Sequence, residues 1–219
     1  MSLIENLRWL DRKERFAVLR EAMGFDQKAP RLGTRFRKKL EECIHVEVPK
    51  RAFLGMDYHL DWIELALYMA QHPDIRDGGL IKNPNRGAIN ENQQDVDLLV
   101  AFETESKSGT VTHLVLVEAK AYLSWQNSQL ESKTRRLGEI FGRDGRRHRA
   151  VKPHFVLMTN RVPTGINTEN WPDWTKTGAK RRLEYDLPPR LKATRCSESG
   201  KPSKGGDYLS LRYTARRDA

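Results

Sequence analysis

Cysteine is scarce: only Cys43 and Cys196 occur, far apart and in no CxxC or Cys/His ligand spacing. That spacing indicates neither a zinc cluster nor a disulfide framework, and it fits a reducing cytoplasm. Long apolar runs are missing as well. No stretch approaches the roughly 18 residues that a membrane span needs, and the opening "MSLIENLRWLDRKERF" has acids where a signal peptide would have its apolar centre. The chain reads as neither exported nor membrane-bound. It has no internal repeat of solenoid period, and no helicase or ATPase motif, so any energy-driven translocation must come from a partner.

Charge is what the chain has in plenty. Of its 219 residues, 31% are Asp, Glu, Lys or Arg, with a net charge of +10 and a pI near 9.7. Such an excess favours a polyanionic partner such as nucleic acid, because clustered Lys and Arg release counterions when they neutralise phosphates; plain solubility accounts for it equally well. The length suits one domain with appendages. A mean hydropathy of −0.71 assigns much of the rest to loop or solvated helix.

Residues 1–50 read as an N-terminal helical region packed on a core. Leu7, Leu10, Phe16, Leu19 and Met23 recur at helical spacing, with a break near Asp11 and a stop at Gly24, and "TRFRKKLEECI" makes a second helix. These helices either cap the sheet or offer a surface for a homodimer. Residues 51–160 form the core. A third helix spans "DYHLDWIELALYMAQH" up to Pro73, and the turn-rich 77–94 reads as a loop or short edge strand. "DVDLLVAFET" and "THLVLVEAKAY" then make an antiparallel hairpin around "ESKSG". "SWQNSQLESKTRRLGEIFG" restores the helical period, and "HFVLMTN" is a short buried strand. Residues 161–219 are a basic extension ending in a hairpin, with "CSESGKPSKGGD" as its loop and "DYLSLRYT" as its last strand. The expected class is α/β, with a mixed sheet.

The chemistry sits at strand ends. Glu118 and Lys120 stand at i and i+2, so their side chains share a face, and Asp97 approaches them if the two strands pair. Two carboxylates near an apolar sheet are unfavourable without compensation, and an oxygen-only set suits Mg²⁺ or Mn²⁺ rather than zinc. A lysine beside such an ion can orient a water and stabilise charge as a phosphodiester is attacked. The plainer reading is a salt bridge between Glu118 and Lys120.

The Asp97 of "DVDLLV" and the "EAK" of Glu118, Ala119 and Lys120, set in helix-strand-strand-helix-strand order over roughly residues 57–160, resemble the PD-(D/E)XK nuclease superfamily. The resemblance implies a restriction-endonuclease-like αβββαβ core and Mg²⁺-dependent hydrolysis of nucleic acid, with DNA as the usual substrate. It also implies Asp97, Glu118 and the Ala119 carbonyl as metal ligands and Lys120 at the attacking water. No proline precedes Asp97, where "QQDVD" stands. Asp95 competes for the ligand position; Asp97, directly before "LLV", is preferred.

Three further sets of residues are candidates. On the third helix Asp57, Asp61, Glu64 and Tyr68 fall in one sector, at about 100° per residue. That stripe either brings Asp61 and Glu64 to the metal or is the helix's solvent face; His59 lies elsewhere and reads as structural. On the next helix Gln126, Gln129 and Lys133 fall inside the apolar arc of Trp125, Leu130, Leu137, Ile140 and Phe141. Their partners are then the carboxylates, water or a phosphate, with Gln129 a catalytic candidate and Lys133 a nucleic-acid contact, unless they snorkel to solvent. Arg143, Arg146, Arg147 and Arg149 crowd a glycine-containing turn that can grip backbone phosphates or simply be solvated. Trp171 and Trp174 read as pins for a loop.

Overall fold

The computed structural model describes residues 2–11, 13–22, 31–73, 94–107, 109–121, 125–160, 165–180, 182–184 and 190–214. The loop or edge strand expected over 77–93 lies outside them. Helix α1, Leu3–Leu10, opens with a reciprocal cap in which the Glu5 amide donates to Ser2 Oγ and the Ser2 amide to the Glu5 carboxylate. It ends at Asp11, where the sequence breaks its helical pattern. Helices α2, Glu14–Ala22, and α3, Thr34–Ile44, follow.

Residues 57–59, expected to begin a helix, instead finish strand β1, Phe53–His59, and helix α4 occupies Leu60–Gln71. The strand is hard to see because "FLGMDYHLDW" runs into the helix without a proline or a polar gap. It forms because strand β2, Asp95–Ser106, needs a partner on each edge. Strand β3, Gly109–Lys120, completes the expected hairpin with β2, and helix α5, Asn127–Phe141, crosses over to strand β4, Val151–Thr159. Helix α6, Asp173–Lys180, and the two-residue strand β5, Arg182–Leu183, follow. Strands β6, Arg190–Cys196, and β7, Tyr208–Thr214, make a separate antiparallel ribbon around the basic loop.

The sheet order is β1-β2-β3-β4-β5, antiparallel from β1 to β3 and parallel from β3 to β5. The molecule is thus α/β with an open mixed sheet. Strand β3 is central and buried on both faces, which is why "HLVLV" has no polar alternation. Leu114 and Leu116 pack with α1, α4 and α5 through Leu7, Ile63, Leu130 and Leu137. Val115 and Val117 pack on the opposite face with Leu40 and Ile44 of α3 and with Val156. Helices α1 and α3 therefore cap the sheet, one on each face. No helix among the described residues is long and apolar enough to cross a membrane.

Helix α6 lies so close to β4 that a Cβ at Gly178 would overlap the main-chain carbonyl of Phe155. Gly178→Ala must push the helix off the sheet and should lower stability by about 1–3 kcal/mol. Urea unfolding measures this, and an unchanged midpoint would show that the contact is not needed.

Candidate functional site

The ladder between β2 and β3 runs from Ser106↔Gly109 to Leu98↔Val117 and stops there. One residue on, a side chain takes over. The Ala119 amide donates to Asp97 Oδ2 at 2.6 Å, a short bond to a charged acceptor. That bond fixes Asp97 against the end of β3, beside Glu118 and Lys120. The three residues expected to converge do so, each at the end of a strand whose apolar half is locked in the core.

The same level of the sheet is irregular on its other side. The β1–β2 register runs from Phe53↔Ala101 to Met56↔Leu98 and resumes at Tyr58↔Val96, skipping the rung of Asp57 and Asp97. Across that gap the inward-facing parity changes in both strands. Phe53, Leu99 and Ala101 face the α4–α5 layer on one side, and Tyr58 and Val96 face the same layer on the other. Asp57 absorbs the switch with φ of 47°, a left-handed conformation that costs a non-glycine residue on the order of 1–3 kcal/mol. Strained backbone of this kind clusters at functional sites. No sequence signal marks Asp57 as strained, except that an aspartate is out of place inside an apolar strand and tolerates this conformation better than most residues.

Glu118 continues the Leu114–Leu116 face toward α5 and is only 2% exposed. Its partner is Lys133 of α5, itself 6% exposed, whose ammonium donates to Glu118 Oε2. Burial pushes the Glu118 carboxyl up to about 6, and the Asp97 charge acts in the same direction; Lys133 and Lys120 oppose it. Of the three polar residues expected on the inner arc of α5, only Lys133 is buried. Gln126 and Gln129 are exposed.

The acidic stripe of α4 has another role. Asp61 forms an ion pair with Arg136 of α5. Glu64 is 8% exposed, its Oε2 makes no hydrogen bond, and burial raises its carboxyl while the Arg147 charge counteracts this. Gln71 Nε2 meets His148 Nδ1 at 2.8 Å. The stripe is thus not a solvent face but a polar seam that joins α4 to α5 and the loop after it. The largest charge effects on Glu118 come from Lys133, Asp97 and Lys120. Asp95 pairs with Lys13 at 3.3 Å and stands opposite His59, so Asp97 is the aspartate at the site.

Arg143, Arg146 and Arg149 are exposed. Arg147, also at the surface, donates to the Glu139 carbonyl and so braces the end of α5. Trp171 is 1% exposed and packs edge-on against Phe155, while Trp174 Nε1 donates to the Gly142 carbonyl at 3.1 Å. Trp171 thus ties its segment to β4 and Trp174 ties it to the loop after α5, in keeping with their reading as loop pins. Sequence reasoning missed a partly buried chain on the other sheet face, from Thr104 Oγ1 through His113 to His154 at 2.9 and 3.0 Å. Burial depresses both histidines, His154 to about 3.

Among the described residues no three His, Cys, Asp or Glu side chains are placed to share a metal ion. At the β3 end two carboxylates, Asp97 and Glu118, stand together. No family model matches the chain, and no curated protein or solved structure is significantly similar to it.

Removing one member of the buried pair should be far worse than removing both. Lys133→Met alone leaves Glu118 buried without its cation and should cost about 3–5 kcal/mol at neutral pH, while Glu118→Gln with Lys133→Met should recover most of the loss. Denaturant unfolding of the four proteins gives the coupling; additive losses would contradict the pairing. Folded Glu118 holds its proton to a higher pH than the unfolded chain does, so its contribution to stability is present below about 4.5 and is lost as pH rises through about 6. The stability difference between wild type and Glu118→Gln should therefore shift against wild type across that window.

Proposed function

We propose that the chain is a Mg²⁺- or Mn²⁺-dependent nuclease that hydrolyses phosphodiester bonds of nucleic acid, with DNA the expected substrate and a restriction-endonuclease-like core. The observation that carries this reading is the Ala119–Asp97 hydrogen bond, which holds one carboxylate beside Glu118 and Lys120. Support also comes from the order of elements. Taking α3 as the first helix, α3-β1-β2-β3-α5-β4 follows the αβββαβ pattern, with α4 interposed between β1 and β2.

The donor set fits a hard divalent cation. Its atoms are all oxygen, and the two carboxylates are near enough for Asp97 to raise Glu118. Asp97, Glu118 and the Ala119 carbonyl would hold the ion. Bound there, it would acidify a water and neutralise charge at the phosphoryl group. Lys120, half-buried on the Glu118 face, would orient that water. Gln129 stands exposed one turn before Lys133, where it can meet substrate, and Arg143, Arg146 and Arg149 offer phosphate contacts that carry no base readout. The two free cysteines suit a reducing cytoplasm. Two copies of the chain would supply one site for each strand of a duplex.

A second reading follows from Lys133. Because its ammonium already compensates Glu118, a nucleic-acid-binding or protein-interaction domain without turnover needs no metal for its stability. Cleavage of plasmid and single-stranded DNA separates the two. The wild type should cut only with Mg²⁺ or Mn²⁺, and Asp97→Ala or Lys120→Ala should reduce the rate by about 100-fold or more. Equal cleavage by both variants would refute the site, and no cleavage by wild type would favour the binding domain.

A further inference from the structure

Four formal charges meet at the end of β3. Asp97 and Glu118 are negative, Lys120 and Lys133 positive, so the site is balanced as it stands. Lys133 is the unusual member. It sits in the apolar arc of α5 between Leu130 and Leu137, both essentially fully buried, and its ammonium lies against Glu118. Asp97 has one oxygen committed to the Ala119 amide, which leaves Glu118 as the carboxylate whose partner can be exchanged.

A divalent cation shared by Asp97 and Glu118 cannot simply be added. It would stand next to the Lys133 ammonium in a poorly solvated place, giving a net excess of two positive charges there. Lys133 has a route out. Its stem is long, and Gln129, one turn toward the start of α5, is exposed, so the ammonium can swing along the helix toward solvent while the methylenes stay packed. A phosphodiester arriving at the cation would meet that released charge.

We propose that Lys133 is an exchangeable counter-ion: it occupies Glu118 when no cation is present and is displaced toward the substrate phosphate when a divalent cation binds. This rests on the reading of Asp97 and Glu118 as cation ligands. Its consequence is linkage. Cation binding works against the Lys133–Glu118 pair, and a phosphate that receives the displaced ammonium strengthens cation binding.

The test follows the lysine rather than cleavage. Full-length wild type is treated with a reductive methylating reagent with and without saturating Mn²⁺, and modification of Lys133 is read by peptide mass spectrometry, with Lys120 as internal control. Modification of Lys133 should rise about fivefold or more with Mn²⁺, and that of Lys120 should not. In Glu118→Gln, Lys133 should be modified readily whether or not Mn²⁺ is present. Where Lys133→Met folds, calorimetry should show Mn²⁺ binding about tenfold tighter than in wild type. Mn²⁺ binding to wild type with Lys133 still protected would overturn the exchange while leaving the nuclease reading intact. Absence of Mn²⁺ binding in both wild type and Lys133→Met would overturn both.

Discussion

The candidate site depends on a single exchange of partners at the end of the β2–β3 ladder. Past Leu98↔Val117 the strands stop exchanging main-chain bonds, and the Ala119 amide turns to the Asp97 carboxylate. An amide at the edge of a core must be satisfied, so the carboxylate is held where the strand needs it. Glu118 is then fixed by the residues before it. With Leu114 and Leu116 buried at 0%, strand alternation leaves its side chain only the α5 layer to enter. The sheet positions both acids by the same packing that stabilises it.

The surrounding charges separate into two systems. The α4 seam pairs Asp61 with Arg136 and sets Glu64 near Arg147, so it serves the docking of helices. The β3 end holds Asp97, Glu118, Lys120 and Lys133, and its balance is made by groups that sit on different elements. Strain adds to this contrast. Among the described residues, the left-handed Asp57 lies on the unpaired rung with Asp97, where the facing of both strands changes while the register is kept.

Much of this is legible in the sequence, for physical reasons that differ by element. The β2–β3 hairpin shows itself because "DVDLLVAFET" and "THLVLVEAKAY" bracket a polar turn, and α5 because its apolar period spans four turns. Lys133 is legible as a polar residue inside an apolar arc, which must have a partner. Strand β1 is not, since its apolar residues merge with those of α4, and helix α6 hides in a stretch whose tryptophans read as loop pins. The acidic stripe of α4 is visible as a stripe, but a helical wheel does not say which neighbour it faces, and here it faces α5. The exposure of Gln129 beside a buried Lys133 likewise depends on how α5 tilts over β3, which periodicity alone does not contain.

The central claim is that Asp97, Glu118 and the Ala119 carbonyl form one cation site. The most direct measurement is anomalous diffraction from crystals of the full chain soaked in Mn²⁺. The account predicts one anomalous peak bonded to both carboxylates and the carbonyl at roughly 2.1–2.3 Å, with the Lys133 ammonium moved off Glu118. A peak bound instead at Asp61 or Glu64, or no peak with Lys133 still paired to Glu118, would contradict it.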